Sequence, residues 1–192
     1  KCFPMMGVHP CSIKEDYEEE LRIAREWLDK RPFVAVGEIG IDLYWDKRFF
    51  EQQKIAFLTQ IEWALEFDIP IVIHSRDSTD IIIELLKGIE GKLPRGIFHC
   101  FSGNLEQANA IIELGFYLGI GGVLTFKNSG VDKVIAEVDL KHLVLETDAP
   151  YLTPTPFRGK RNESSYVKLV AKKLADIKEV SFDEVAKVTT AN

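Results

Sequence analysis

Short, β-branched apolar runs alternate along this chain with longer stretches in which apolar residues recur at helical spacing. The runs are Phe3–Val8, Val34–Gly37, Ile71–Ile73, Gly96–Phe98, Phe116–Ile120 and Leu143–Leu145. Between them Phe50, Phe57, Ile61, Ala64 and Leu65 share one face of a helix, and Leu105, Ala108, Ile111 and Ile112 share another before Gly115 ends it. Val167, Val170, Leu174 and Ile177 form a third stripe, and Ser181 with Glu184 has the spacing of a capping box opening a last helix. Trp27 and Trp63 fall on such stripes and are expected in the core. Strands alternating with helices predict consecutive βα units around a parallel sheet, the α/β class. Six such units are legible, two fewer than a closed TIM-type (β/α)8 barrel requires.

The same runs carry the chemistry. Four of them lead into a side chain able to bind a metal: Val34-Ala-Val-Gly-Glu38, Ile71-Val-Ile-His74, Gly96-Ile-Phe-His99 and Leu143-Val-Leu-Glu-Thr-Asp148. In parallel α/β sheets the carboxyl ends of the strands form the face where ligands bind, so the four residues are expected to converge in one pocket. A lone histidine after a strand is ordinarily a hydrogen-bonded loop residue. Four ionisable groups at equivalent strand ends are harder to explain as structure, because unpaired charge buried there costs several kcal/mol. Glu38, His74, His99 and Asp148 together offer oxygen and nitrogen ligands suited to Zn, Mn, Mg or Fe, with no thiolate among them.

The chain has 192 residues, 46% of them hydrophobic, and no low-complexity stretch, so one domain over residues 1–192 is expected. A net charge of −6 lacks the basic footprint of a general nucleic-acid binder. A polyanion would have to meet local positive charge or bound metal. Cys2, Cys11 and Cys100 are too few for a disulfide framework and fit a reducing cytoplasm, and neither a signal peptide nor a membrane-spanning run is evident. No feature calls for an obligate protein partner.

Six segments, read in order, resemble the successive signatures of the TatD family of metal-dependent deoxyribonucleases. They are Gly7-Val-His-Pro10, Val36-Gly-Glu-Ile-Gly-Ile-Asp42, Pro70-Ile-Val-Ile-His-Ser-Arg-Asp77, Phe98-His-Cys-Phe-Ser-Gly103, Glu146-Thr-Asp-Ala-Pro-Tyr-Leu152 and Arg158-Gly-Lys-Arg-Asn-Glu163. The resemblance implies an amidohydrolase-like (β/α)8 barrel holding two divalent metals, Mg, Mn or Zn. By it Glu38 is a ligand shared between the metals and a catalytic residue, and His74 and His99 ligate one metal. Asp148 is a ligand that also orients or deprotonates the attacking water. It further implies a DNA substrate, cut from single-stranded or frayed ends by an exonuclease. Such proteins begin with a strand carrying a His-x-His pair and a further βα unit, neither of which precedes Lys1, so the chain is expected to be truncated at both ends and to lack the first two βα units.

Other residues of these motifs suggest substrate contacts. His9, before Pro10, is either a loop cap or a phosphate contact at the pocket rim. Arg76 either pairs with Asp77 or faces substrate, and Arg158, Lys160 and Arg161 form the one compact basic cluster. Arg158 and Arg161 suit a phosphate clamp, and Asn162 and Glu163 would brace that loop. Tyr44 and Trp45 offer rings on which a base could stack; His142 reads as structural. Spacing does not separate a phosphodiesterase from an acyl hydrolase such as a D-aminoacyl-tRNA deacylase, nor either from a metal-free binding protein on the same barrel.

Overall fold

Val36, Ile39, Ile41, Ile71 and Ile73 have 0% of their surface exposed, and the strands that carry them form the centre of the first of two compact units, Lys1–Phe98 and His99–Asn192. The structure, a computed structural model, describes residues 2–192; Lys1, where the sequence suggests a strand approach, lies outside the described residues. Five strands and seven α-helices occur among them.

In the first unit β1 (Val36–Asp42) pairs in parallel with β2 (Ile71–Arg76), and β2 with β3 (Gly96–Phe98). Between them lie α1 (Tyr17–Lys30), α2 (Phe50–Glu66) and α3 (Thr79–Lys87). β1 and β2 outlast their apolar runs, so Glu38 and His74 sit inside strands rather than at their ends, which corrects the sequence reading. The reason is alternation: Ile39 and Ile41 keep one face of β1 in the core while Glu38 and Asp42 occupy the other. The expected strand Phe3–Val8 is reduced to a bridge between Met6 and Val36. Its ladder stops because the side-chain amide of Gln60, on α2, takes both backbone groups of Val8, accepting from its N–H at 2.6 Å and donating to its carbonyl at 3.3 Å. Gln53, two turns earlier on the same helix, does the same for Asp42, at 2.8 and 3.2 Å. Trp63 is buried as expected, but Trp27 is 46% exposed: Leu21, Ala24 and Leu28 form the buried stripe of α1, and Trp27 lies about 100° around the helix from Leu28.

In the second unit β4 (Tyr117–Ile120) and β5 (Leu143–Leu145) are parallel. They alternate with α4 (Leu105–Glu113) and α5 (Val131–Glu137) and are followed by α6 (Val167–Lys178) and α7 (Phe182–Ala191). Asn104 and Gln107 form a complete capping box on α4. Ser181 caps α7 by accepting the Glu184 N–H at 3.1 Å. Val170, Leu174 and Val185 carry the apolar faces of the last two helices into the core.

Gly40 is one position where the first unit tolerates no side chain. It pairs with His74 in the β1–β2 register, has φ +145°, and a Cβ there would lie 2.0 Å from the His74 carbonyl oxygen. Gly40→Ala is therefore expected to destabilise the protein by about 3 kcal/mol or more, read as a lowered midpoint in urea unfolding. An alanine variant of unchanged midpoint would show that β1 can move away from β2 freely.

Candidate metal centres

The first cluster lies on β1, β2 and the turn after Val8. Ligand-capable atoms of His9, Glu38 and His74 lie within 4.8 Å of one another. Asp42, 1% exposed, organises them. Its Oδ2 is 2.9 Å from His74 Nε2, and its Oδ1 accepts the amides of Tyr44 and Trp45 at 3.0 and 3.1 Å. Burial alone would raise the Asp42 pKa, but the Trp45 amide, the His74 imidazole and the Tyr44 amide outweigh it and hold the carboxyl below the usual carboxylate range. An ionised Asp42 can only accept, so Nε2 of His74 carries a proton, and in the neutral ring the lone pair is on Nδ1. That Nδ1 faces Glu38 Oε2 at 3.9 Å. The separation is too long for a hydrogen bond but shorter than two metal–ligand bonds end to end, about 4.2 Å. A carboxylate holding the far nitrogen of an imidazole is the usual support of a metal-binding histidine.

His9 plays a different part. It caps the turn Pro10–Ser12, its Nδ1 accepting the Cys11 N–H at 3.1 Å. The neutral ring therefore carries its proton on Nε2, 3.7 Å from Glu38 Oε2, and offers a donor rather than a lone pair. The Cys11 thiol, raised to about 11 by burial and then by the charge of Asp42, stays protonated beside this network.

The second cluster repeats the arrangement with the ring reversed. His99, immediately after β3, has Nδ1 3.0 Å from Glu146 Oε2, and Glu146 Oε1 accepts the Cys100 amide at 2.8 Å. His99 Nε2 then faces Asp148 Oδ1 at 3.9 Å. The thiol of Cys100 joins His99 and Asp148 within 4.8 Å, so a sulfur accompanies a set that the sequence reading confined to nitrogen and oxygen. Asp148 has φ +53° in the segment after β5. Asn162, 3% exposed, pins that segment, donating from its amide to the carbonyls of Thr147 and Tyr151 at 2.6 Å each.

The structure thus brings Glu38 and His74 together in the first unit, with His9, and His99 and Asp148 together in the second. Both sets fit a divalent ion: each presents an imidazole lone pair beside a carboxylate, with a second carboxylate fixing the tautomer. Sequence reasoning missed Asp42 and Glu146, although the presence of another acidic residue beside Glu38 and Asp148 in their motifs was the available signal. Of the basic residues, Arg76 lies over the Tyr44 ring at 3.7 Å. Arg158 donates to the Thr153 carbonyl at 3.1 Å and lies over Phe126 at 3.6 Å, so much of it serves to brace its loop. Arg161 is exposed beside the buried Asn162. His142 ends a short helical turn before β5, as a structural residue would.

Asp42 accepts at both oxygens, whereas an asparagine must turn its NH2 toward either His74 or the two amides. Asp42→Asn is expected to fold yet bind Mn or Zn about 10- to 100-fold more weakly, measured by competition with a chelating dye. Parental affinity in that variant would remove Asp42 from the support of His74.

Comparison with known proteins places the chain among metal-dependent hydrolases. The model of the family described as TatD related DNase matches residues 1–192. The chain is 44% identical over 191 residues to the uncharacterized metal-dependent hydrolase YabD of Bacillus subtilis, covering 99% of this chain and 75% of that protein. It is 35% identical over 189 residues to the uncharacterized metal-dependent hydrolase YcfH of Escherichia coli K12, covering 97% and 70% respectively. Among solved structures, the TatD homolog YjjV of Escherichia coli K12 superposes with a TM-score of 0.91 at 34% identity, over 98% of this chain and 74% of that one. A TatD family hydrolase from Entamoeba histolytica superposes with a TM-score of 0.77 at 27% identity, over 99% and 73%. These likenesses give the fold class as α/β of the TIM type, in keeping with the strand–helix alternation of the sequence. The chain belongs to the TatD-related family of metal-dependent hydrolases.

Proposed function

We propose that this hydrolase cleaves phosphodiester bonds of DNA, acting as an exonuclease on single-stranded or frayed ends with two divalent ions, Mg, Mn or Zn. The observation that carries the reading is the doubled motif of an imidazole, oriented by one carboxylate, facing a second carboxylate at 3.9 Å. Divalent ions in such positions supply Lewis acidity toward water and toward a phosphoryl oxygen. The description of the matching family as a DNase supports the substrate class.

The roles of the side chains follow from their atoms. Asp148, beside the lone pair of His99 and partly open to solvent, accepts the proton of the attacking water. Glu38 and His74 Nδ1 would hold one ion and His99 Nε2 with Asp148 the other, a division that departs from the expected sharing of one metal by His74 and His99. His9 Nε2–H donates to a non-bridging phosphate oxygen, which combines the two roles the sequence left open, since Nδ1 caps the turn. Arg161 meets a substrate phosphate, and Arg158 shapes the loop that presents it.

Asp148→Asn is expected to retain the fold and much of the metal yet lower kcat on labelled single-stranded DNA by about 100- to 10,000-fold. EDTA should abolish wild-type activity and Mn or Mg restore it. An Asn variant of near-normal rate at saturating metal would remove the base role. Nuclease activity indifferent to EDTA, or release of aminoacyl groups from tRNA with no release of nucleotides, would overturn the proposal itself. Arg161→Ala should raise KM for single-stranded DNA and reduce the slope of log KM against log salt by about 0.7, without changing Tm. Arg158→Ala should lower Tm as well, because it loses the Thr153 and Phe126 contacts. If Arg161→Ala cuts DNA with an unchanged KM, the loop contributes no phosphate contact.

A further inference from the structure

Trp45 is 70% exposed and Tyr44 is 54% exposed, yet neither sits on a loose loop. Both backbone amides are bound by Asp42 Oδ1, at 3.1 and 3.0 Å, and the next amide back, that of Leu43, is bound by the Arg76 carbonyl at 2.9 Å. The two rings meet edge to face at 4.9 Å. The Arg76 guanidinium covers Tyr44 at 3.7 Å and stands 5.4 Å from the Trp45 ring centre. A large indole is thus held out in water by a backbone that is fixed and by two neighbours that brace it. The same carboxylate that fixes these amides orients His74, so the exposed ring and the first cluster share one support.

We infer that Trp45, braced by Tyr44 and Arg76, is a stacking platform for one unpaired nucleobase of a DNA end, set in fixed relation to the Glu38–His74 centre. The inference deepens the nuclease reading and rests on it. Bases present a free face to such a ring only when unstacked, at a single strand or a frayed terminus. The nearby carboxylates are matched: Asp46 is paired with Arg48 at 2.9 Å and approached by Lys14 at 3.7 Å, and buried Asp42 is bound by the Tyr44 and Trp45 amides and the His74 imidazole. Arg76, lying against the rings with its charge uncommitted to any ion pair among those described, supplies positive potential at the platform's edge. The expected consequence is selectivity: the platform distinguishes a base-bearing strand from a bare sugar-phosphate backbone, and a single strand from a closed duplex.

The test compares wild type, Trp45→Ala and Trp45→Phe on three labelled substrates: oligo(dA), the same oligonucleotide with abasic analogues at the terminal positions, and a blunt duplex. Wild type should show a KM for oligo(dA) lower than for the abasic strand by roughly 5- to 100-fold. Trp45→Ala should lose that ratio and much of the preference for single strands over duplex, while its KM for the abasic strand and its metal affinity stay unchanged. Trp45→Phe should restore the ratio in part. Emission offers an independent reading: with Trp63 buried, oligo(dA) should quench a Trp27→Phe protein through Trp45, and the abasic strand should not. If wild type cuts oligo(dA) and the abasic strand equally well, or if Trp45→Ala keeps the ratio, the platform is wrong while the nuclease reading stands. If wild type cuts none of the three in the presence of Mn or Mg, the nuclease reading has failed, and the platform fails with it.

Discussion

The buried Asp42 carboxylate is the constraint on which the first unit's chemistry depends. A carboxylate with 1% of its surface exposed survives as an anion only if its oxygens are satisfied. Here they are satisfied by groups that have to be positioned: the His74 imidazole on one oxygen, the Tyr44 and Trp45 amides on the other. One charge therefore decides which nitrogen of His74 keeps its lone pair, where the chain turns after β1, and where two aromatic rings are held. Gln53 in turn fixes the backbone of Asp42 from α2, and Gln60 fixes that of Val8, next to His9. A helix that is apolar toward the core thus carries two buried amides, seven residues apart, that act as substitute strand neighbours for the residues presenting the site.

The second unit reaches a comparable result by other means. Glu146 occupies the position of Asp42 toward its histidine, but it holds Nδ1 rather than Nε2, and its other oxygen binds the amide of the residue following that histidine. The lone pair is consequently directed from the opposite side of the ring. Asp148 is carried by a segment with left-handed backbone and anchored by Asn162, whereas Glu38 lies within β1 where its register with β2 shifts, between Gly37 and Ile39. An irregularity in a paired strand positions one carboxylate and a hydrogen-bonded loop positions the other.

Much of this was legible in the sequence, and the boundary of legibility is physical. Five of the six apolar runs became strands, with β3 and β5 at the residues expected, because buried parallel strands admit little else. The ends of β1 and β2 were misjudged because their last residues face two ways, isoleucine inward and acid or imidazole toward the site, so that the apolar run stops before the pairing does. Glu38, His74, His99 and Asp148 stood out as ionisable groups following apolar runs. Asp42 and Glu146 did not, because a residue that acts through a neighbour's ring leaves no periodic trace of its own. Gln53 and Gln60 looked like ordinary polar positions of an amphipathic helix, and only the placement of Val8 and Asp42 reveals what they bind. Cys100 was overlooked for a similar reason: its adjacency to His99 suggests opposite directions along a strand, but β3 ends at Phe98 and Cys100 turns with φ +50°.

The net charge of −6 acquires a local meaning from these contacts. Many of the acidic residues are matched close by: Glu19 and Glu26 by Arg22, Glu66 by Arg25, Asp46 by Arg48. Exposed pairs of this kind add little stability, but they shorten the range over which the surface repels an anion, since a paired charge presents a dipole rather than a monopole. The carboxylates set against imidazoles are of another kind. Glu38 and Asp148 each face an imidazole nitrogen at 3.9 Å. A divalent ion held there would offset the charge of that carboxylate and of the one supporting the imidazole. The concentration of negative charge is what would let a protein without an overall basic charge gather cations, and under the nuclease proposal those cations are what a substrate phosphate meets.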